Sequence, residues 1–496
     1  MSLTVREIRD RAERFEAALA QEIFDARAGR KAWPELRPLY ASQSVLRFDT
    51  AIPTIQREFA SATGDERRCL ERLLAWVAEH HIEAANAGLD DEFAQWMASA
   101  RIPHQGADVP VRKLPALLRS TQDRPTRRAY AALRVELLDE VLPLQLDRLN
   151  RWRTASRELG FGGYRELLQR LTGLSLGGVR AEGRRFLECT DEMYRAHLGT
   201  YLAEHFGLSA VDAEHHDAEW LNRQSWRDGI SDEASLLETL GEDLRTIGLP
   251  LEAEGRIELA VEAFPSPGMR PACQAVKVPG RVLVLVTPTT SVSGLRTLMR
   301  EIGRALHWAY TSPLLPFEFR VLGDRSVLDA HATLIGGLGR SMSWVRRAFG
   351  LEGDELAEYV RFGAFLELYA LRRMAARLIF DLELSESERP GAMGPRWAEL
   401  MDEGIGFRHD PRAFVAQLGQ RFGVALRFRG RMLAARLTRE LETKFDEDWY
   451  RNPATGPFLR DWFAEGLTHD AGTLAERLGG PLNSDDLVAS LTRRLG

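Results

Sequence analysis

Cysteine and lysine are scarce in this chain. Three cysteines (Cys69, Cys189 and Cys273) among 496 residues are too few and too scattered for a disulfide framework or a thiolate zinc site. Lysine occurs only at Lys31, Lys113, Lys277 and Lys444, so arginine carries nearly all the positive charge, which we read as composition rather than a binding signal. There is no basic excess: 66 basic against 72 acidic residues leave a formal charge of −6, which argues against nucleic acid or an anionic membrane as partner. No run of about 18 apolar residues occurs, so no spanning helix is expected. Charges break the opening Met1–Asp10 at once, unlike a secretory signal, and the cytosol is the expected location. Hydrophobic residues at 44% and charged residues at 28% describe a globular protein with ample core, long enough for about three folding units.

Helical spacing is abundant. Over 66–84 the apolar residues Leu70, Leu73, Leu74 and Val77 recur three and four apart among charged ones, as in a helix with one buried face. The same template fits about 126–158, 180–206, 233–247, 356–382 and 428–445, with breaks at Gly160–Gly163, Gly173–Gly178, Ser266-Pro267-Gly268, Gly350–Gly353 and Pro390–Pro395. One window differs. Arg256–Glu262 alternates apolar and polar residues, while Cys273–Val278 and Arg281–Val286 flank Pro279-Gly280, which predicts a small β-ribbon with a turn. A helix follows over Ser293–Tyr310, with Ser293 as its predicted cap.

That helix reads Leu298-Met299-Arg300-Glu301-Ile302-Gly303-Arg304-Ala305-Leu306-His307. A zinc protease carries His-Glu-x-x-His in such a setting: two imidazoles one turn apart on one face, with a glutamate between them as general base. Here Glu301 keeps the glutamate, Gly303 keeps the small residue after it, and both imidazole positions are arginine.

On these residues the chain resembles the thimet oligopeptidase and oligoendopeptidase F family of zinc endopeptidases, as a degenerate member. The likeness continues through Leu315-Pro316-Phe317-Glu318-Phe319-Arg320-Val321-Leu322-Gly323-Asp324 and Ser326-Val327-Leu328-Asp329. These look like the segment leading to the family's third zinc ligand, a glutamate about 25 residues after the second histidine. Counting from Arg304 lands on Asp329. Phe365-Leu366-Glu367-Leu368-Tyr369 with Leu371-Arg372-Arg373, and Phe445-Asp446-Glu447-Asp448-Trp449-Tyr450, resemble C-terminal helices of bacterial members. The resemblance covers most of residues 100–470 and is strongest from 255 to 335. It implies a mainly α fold of metallopeptidase-like (zincin) type: two largely helical lobes around a deep central channel, with the β-ribbon beside the motif helix. We place an N-terminal helical lobe at 1–210 and the motif-bearing lobe at 211–496. Members also use tyrosines in a C-terminal helix-loop segment to steady the transition state; Phe422–Phe428, in about that place, has none.

The departures set the functional expectation. A working site balances Zn²⁺ against two carboxylates, whereas this one balances Arg300 and Arg304 against Glu301 and Asp329. Arginine cannot deprotonate to become a ligand. A guanidinium ~4 Å from zinc would repel it by roughly 8 kcal/mol at an effective dielectric of 20, and two would oppose about the whole of a structural zinc's ~10–16 kcal/mol. Zinc is therefore expected to be absent, with Arg300, Arg304 and Asp329 as the ancestral ligand positions. Without metal-acidified water, Glu301 is a retained general-base position poorly matched to proton abstraction.

The leading expectation is a pseudopeptidase whose channel binds a peptide or an anionic small molecule, using Arg300, Arg304, Asp329 and His307, with the ribbon edge near Val282–Val286 free to pair with an extended chain. An alternative is a repurposed metal-independent enzyme, with Glu301 or Asp329 for proton transfer and the arginines as an anion clamp. A third is an oligopeptidase with unconventional zinc ligands such as His307, Asp329 and His331. His307 also reads as a core histidine, Asp329 as a plain ion-pair partner, and the polar stretch around His215-His216-Asp217 as surface.

Overall fold

The computed structural model describes residues 3–42, 48–104, 106–261, 269–418 and 422–496; Glu262 and the Ser266-Pro267-Gly268 break lie outside them. Helices make up 73% of the chain, and the predicted stretches fall in Gly64–Ser99, Arg124–Glu158, Glu233–Thr246, Gly353–Glu386 and Gly423–Phe445. The stretch read as continuous over 180–206 is two helices, Leu176–Cys189 and Asp191–Phe206, meeting at Thr190. The Thr190 hydroxyl is buried and donates to the Phe186 carbonyl, the kind of local side-chain bond that competes with helix continuation.

Two small sheets accompany the helices. An antiparallel hairpin, β1 (Arg101–His104) with β2 (Ala107–Pro110), was not foreseen. The predicted ribbon is a three-stranded mixed sheet of β3 (Ile257–Val261), β4 (Ala272–Lys277) and β5 (Arg281–Val286) in the order β3-β5-β4. β4 and β5 are antiparallel, as the Pro279-Gly280 turn suggests, but β3 runs parallel to β5. Successive side chains of a strand point to opposite faces. Val282, Val284 and Val286 therefore join the core around the motif helix, while Leu283 and Leu285 pack with Phe24 and Ala28, the former from the Val5–Arg27 helix. Burial on both faces explains why Val282–Val286 is apolar throughout. The expected free edge at Val282–Val286 is corrected here: β5 is the central strand, flanked on both sides, and the edges are β3 and β4.

The motif helix spans Val292–Tyr310, and its cap is Ser291 rather than Ser293: the Ser291 hydroxyl accepts from the Gly294 N–H at 3.1 Å. A second helix, Arg325–Leu338, is capped by Asp324, which accepts from the Ser326 N–H at 2.9 Å. The third, Gly423–Phe445, packs against Arg325–Leu338. Two glycines set how closely the three meet. A Cβ on Gly303 would stand 2.8 Å from the His331 carbonyl oxygen and 2.9 Å from Ala332 Cα; one on Gly430 would stand 2.8 Å from the Ser326 carbonyl oxygen and 2.9 Å from Asp329 Cβ. Backbone thus approaches backbone, and residues 300–304, 329 and 427–431 are drawn to one crossing. A second core joins side chains of 176–202 to those of 362–384 and 487–495. Among the described residues no helix is long and apolar enough to cross a membrane.

Candidate functional site

The crossing brings the predicted residues together. Arg300 donates to Asp329 Oδ1 at 2.7 Å and to the Thr333 hydroxyl at 2.8 Å, in a groove opened by Gly336, whose missing Cβ would clash with the Arg300 chain. Arg304 pairs with Glu301 Oε1 and reaches Asp329 Oδ1 at 3.3 Å. The other Glu301 oxygen accepts the backbone N–H of Cys273, on edge strand β4, at 2.9 Å. Both oxygens at the general-base position are thus engaged, one by a guanidinium and one by the sheet. Asp329 is 5% exposed and Glu301 7%, so these are pairs in a largely dry setting, where an unmatched charge is costly.

The balance expected from sequence is incomplete, because the third helix contributes. Burial pushes the Asp329 carboxyl up, but the guanidinium groups of Arg300, Arg431, Arg304 and Arg427 together outweigh it and hold the carboxyl below its usual range. The two added arginines also face carboxylates of their own, Arg431 that of Glu367 and Arg427 that of Asp381. Burial and the neighbouring Arg431 bring Arg300 down to about 10 despite Asp329. Burial opposes the charge of Arg304 as well, yet Glu301 and Asp329 raise it above its ordinary value. The sequence carried a signal for the missed residues. Arg427 and Arg431 are four apart, one helical turn, with Gly430 between them to admit the close approach.

His307 and His331 lie together but away from the carboxylates. Both are fully buried, with Nδ1 to Nδ1 at 2.8 Å, and Phe463 packs edge-on against His331 at 4.8 Å. Burial lowers His331 to about 3, and burial with the His331 neighbour lowers His307 well below its usual value, so one neutral ring donates to the other. Among the described residues no group of three or more His, Cys, Asp or Glu side chains is placed to hold a metal ion, so the expected grouping of His307, Asp329 and His331 is not assembled. Unfolded histidine titrates near 6.5. Below that pH the unfolded chain takes up protons that the native pair refuses, so stability falls as pH drops from 6.5. A loss of about 2 kcal/mol per histidine is expected between pH 6.5 and 5. Denaturant midpoints across that range are the measurement, and His331→Leu should remove one of the two proton-uptake steps.

The stretch read as surface is also corrected. His216 is 2% exposed and Asp217 fully buried, because Asp217 accepts ion pairs from Arg124 at 2.9 Å and Arg127 at 3.1 Å. The Phe422–Phe428 segment packs through its rings: Phe428 meets Phe186 edge-on and Phe422 stacks on Tyr164.

No family model matches the chain, and no curated protein matches it in sequence. Among solved structures it is similar to one described as PZ peptidase A with inhibitor 2, at 13% identity and a TM-score of 0.67, over 97% of this chain and 86% of that one. Identity that low speaks to fold alone: the chain is mainly helical with a small sheet, and its architecture resembles a zinc peptidase scaffold.

Proposed function

We propose that this protein is a pseudopeptidase: a zinc oligopeptidase scaffold that carries no metal and binds a peptide or an anionic small molecule in its channel. The observation that carries the reading is the engagement of Arg300 and Arg304 with Asp329 and Glu301 at the positions where the resemblance calls for two imidazoles, a ligand carboxylate and a base. The donor set does not fit zinc. Two of the three ligand positions have no lone pair to give, and the third, Asp329, already receives two guanidiniums on Oδ1. Arg427 and Arg431 add further positive charge that a divalent cation would have to overcome. Proton transfer by Glu301 is disfavoured because both of its oxygens are engaged. The gathered guanidinium groups favour an anion or a peptide carboxylate as ligand. The free thiols Cys69, Cys189 and Cys273 suit the reducing cytosol, where we assign the protein.

Elemental analysis of protein purified without chelator tests the reading. Zinc well below one equivalent is expected, with no chelator-sensitive cleavage of quenched peptides. Stoichiometric zinc would overturn it.

A further inference from the structure

A second cluster of arginines lies outside the motif. A cavity of about 390 Å³ is lined by Arg112, Arg119, Arg134, Arg270 and Arg373, with Glu219 as the single acidic member. The lining is drawn from distant stretches. Arg119 sits on the short Leu114–Ser120 helix, Arg134 on Arg124–Glu158, Glu219 on His215–Arg223, Arg373 on Gly353–Glu386, and Arg270 just ahead of β4. Arg134 reaches Glu219 at 3.9 Å, and Glu219 is also held by His215 at 3.4 Å. The other four guanidiniums have no ion-pair partner within 4 Å among the described residues.

Five guanidiniums against one carboxylate leave a formal excess of four positive charges around one cavity. Arg112 and Arg270 are exposed at its mouth while Arg119, Arg134 and Arg373 are half-buried, and like charges gathered at a half-buried place are unfavourable unless something of opposite sign joins them. Burial and the nearby Arg270 lower the Arg119 guanidinium to about 10, even with Glu219 close by, a sign that the cluster lacks negative charge. The fork of donors on each arginine matches phosphate and carboxylate oxygens alike. Charge density separates the two. A phosphate group brings about −1.5 to −2 near pH 7, so two or three linked phosphates neutralise the excess, whereas carboxylates would need four in the same space.

We propose that this cavity is a binding site for a compact polyphosphate, such as the di- or triphosphate moiety of a small molecule. It goes beyond the reading above and rests neither on the channel nor on the absence of zinc. Arg270 lies three residues before Cys273, whose N–H is bonded to Glu301, so the cavity and the motif are linked through the start of β4.

The test is calorimetric titration of the full chain with inorganic tripolyphosphate, with citrate as the carboxylate comparison. One saturable site is expected, tighter for tripolyphosphate than for citrate and weakened by salt. The double variant R119Q/R373Q should weaken it by about 100-fold, near tenfold per charged contact. R493Q, at an exposed arginine outside the cavity lining, should leave it within about threefold. E219Q, which removes the competing carboxylate, should tighten it by about threefold or more, a gain that misfolding cannot imitate. The proposal is overturned by no saturable binding to the wild type, by citrate binding as tightly as tripolyphosphate, by R119Q/R373Q binding like the wild type, or by E219Q failing to tighten. Any of these outcomes would end this proposal while leaving the pseudopeptidase reading intact. Stoichiometric zinc would do the reverse.

Discussion

Asp329→Asn is expected to lower the stability of the lobe that carries it by about 3 kcal/mol. Asp329 is the buried carboxylate on which Arg300 and Arg304 both converge, and Arg427 and Arg431 act on it as well. The substitution is nearly isosteric, so packing is kept and the loss is electrostatic: Arg300 would lose its ion-pair partner and Arg304 one of its two. Removing a charge on the other side should give part of this back. The double variant Asp329→Asn/Arg300→Gln is expected to be more stable than Asp329→Asn by about 1–2 kcal/mol, the signature of coupling between contacting groups. Urea midpoints of the four corners of that cycle are the measurement. A loss under about 0.5 kcal/mol for Asp329→Asn would mean that the arginines are satisfied by solvent, and the compensated cluster would be an incorrect description.

Rebuilding the ligand set is the second large effect. The triple variant Arg300→His/Arg304→His/Asp329→Glu restores two imidazoles and a longer carboxylate around Glu301. It should take up zinc only weakly, and peptide hydrolysis should stay near background. The obstacle is the third helix, which leaves Arg427 and Arg431 beside the ion. At an assumed ~8 Å and a dielectric of 20 each would oppose zinc by roughly 4 kcal/mol. Adding Arg431→Gln to the triple variant should therefore tighten zinc by about 100-fold or more. Competition against a chromogenic chelator measures it. Equal affinities with and without Arg431 would show that its charge does not reach the site.

Those two experiments depend on residues of different legibility. Arg300, Glu301, Arg304 and Asp329 could be picked out because each is defined by position along the chain: a one-turn spacing on a helix, then a fixed count to the next helix. The structure brings all four within ion-pair reach. Arg427 and Arg431 lie about a hundred residues further on, and only the packing of Gly430 against Ser326 and Asp329 brings them in. Their helical spacing was visible, but its target was not. His307 stood on the motif helix at a suggestive spacing, yet its partner is His331 in a dry core. His307 and His331 stand on separate helices with no recognised ligand spacing between them, and burial makes them a hydrogen-bonded pair.

Composition and periodicity were sufficient for the mainly helical class and for the strands after Arg256, since each of these is local and is written in spacing. Three things came only from how distant segments pack. β5 became a central strand because β3 returned parallel to it; Asp329 gained Arg427 and Arg431 as neighbours because a third helix packed against its own; and Arg112, Arg119, Arg134, Arg270 and Arg373 came to line one cavity. Charges far apart in sequence carry no pattern that says they will meet. Whether they repel, pair or wait for an anion is settled by the solvent and the neighbours that folding leaves them.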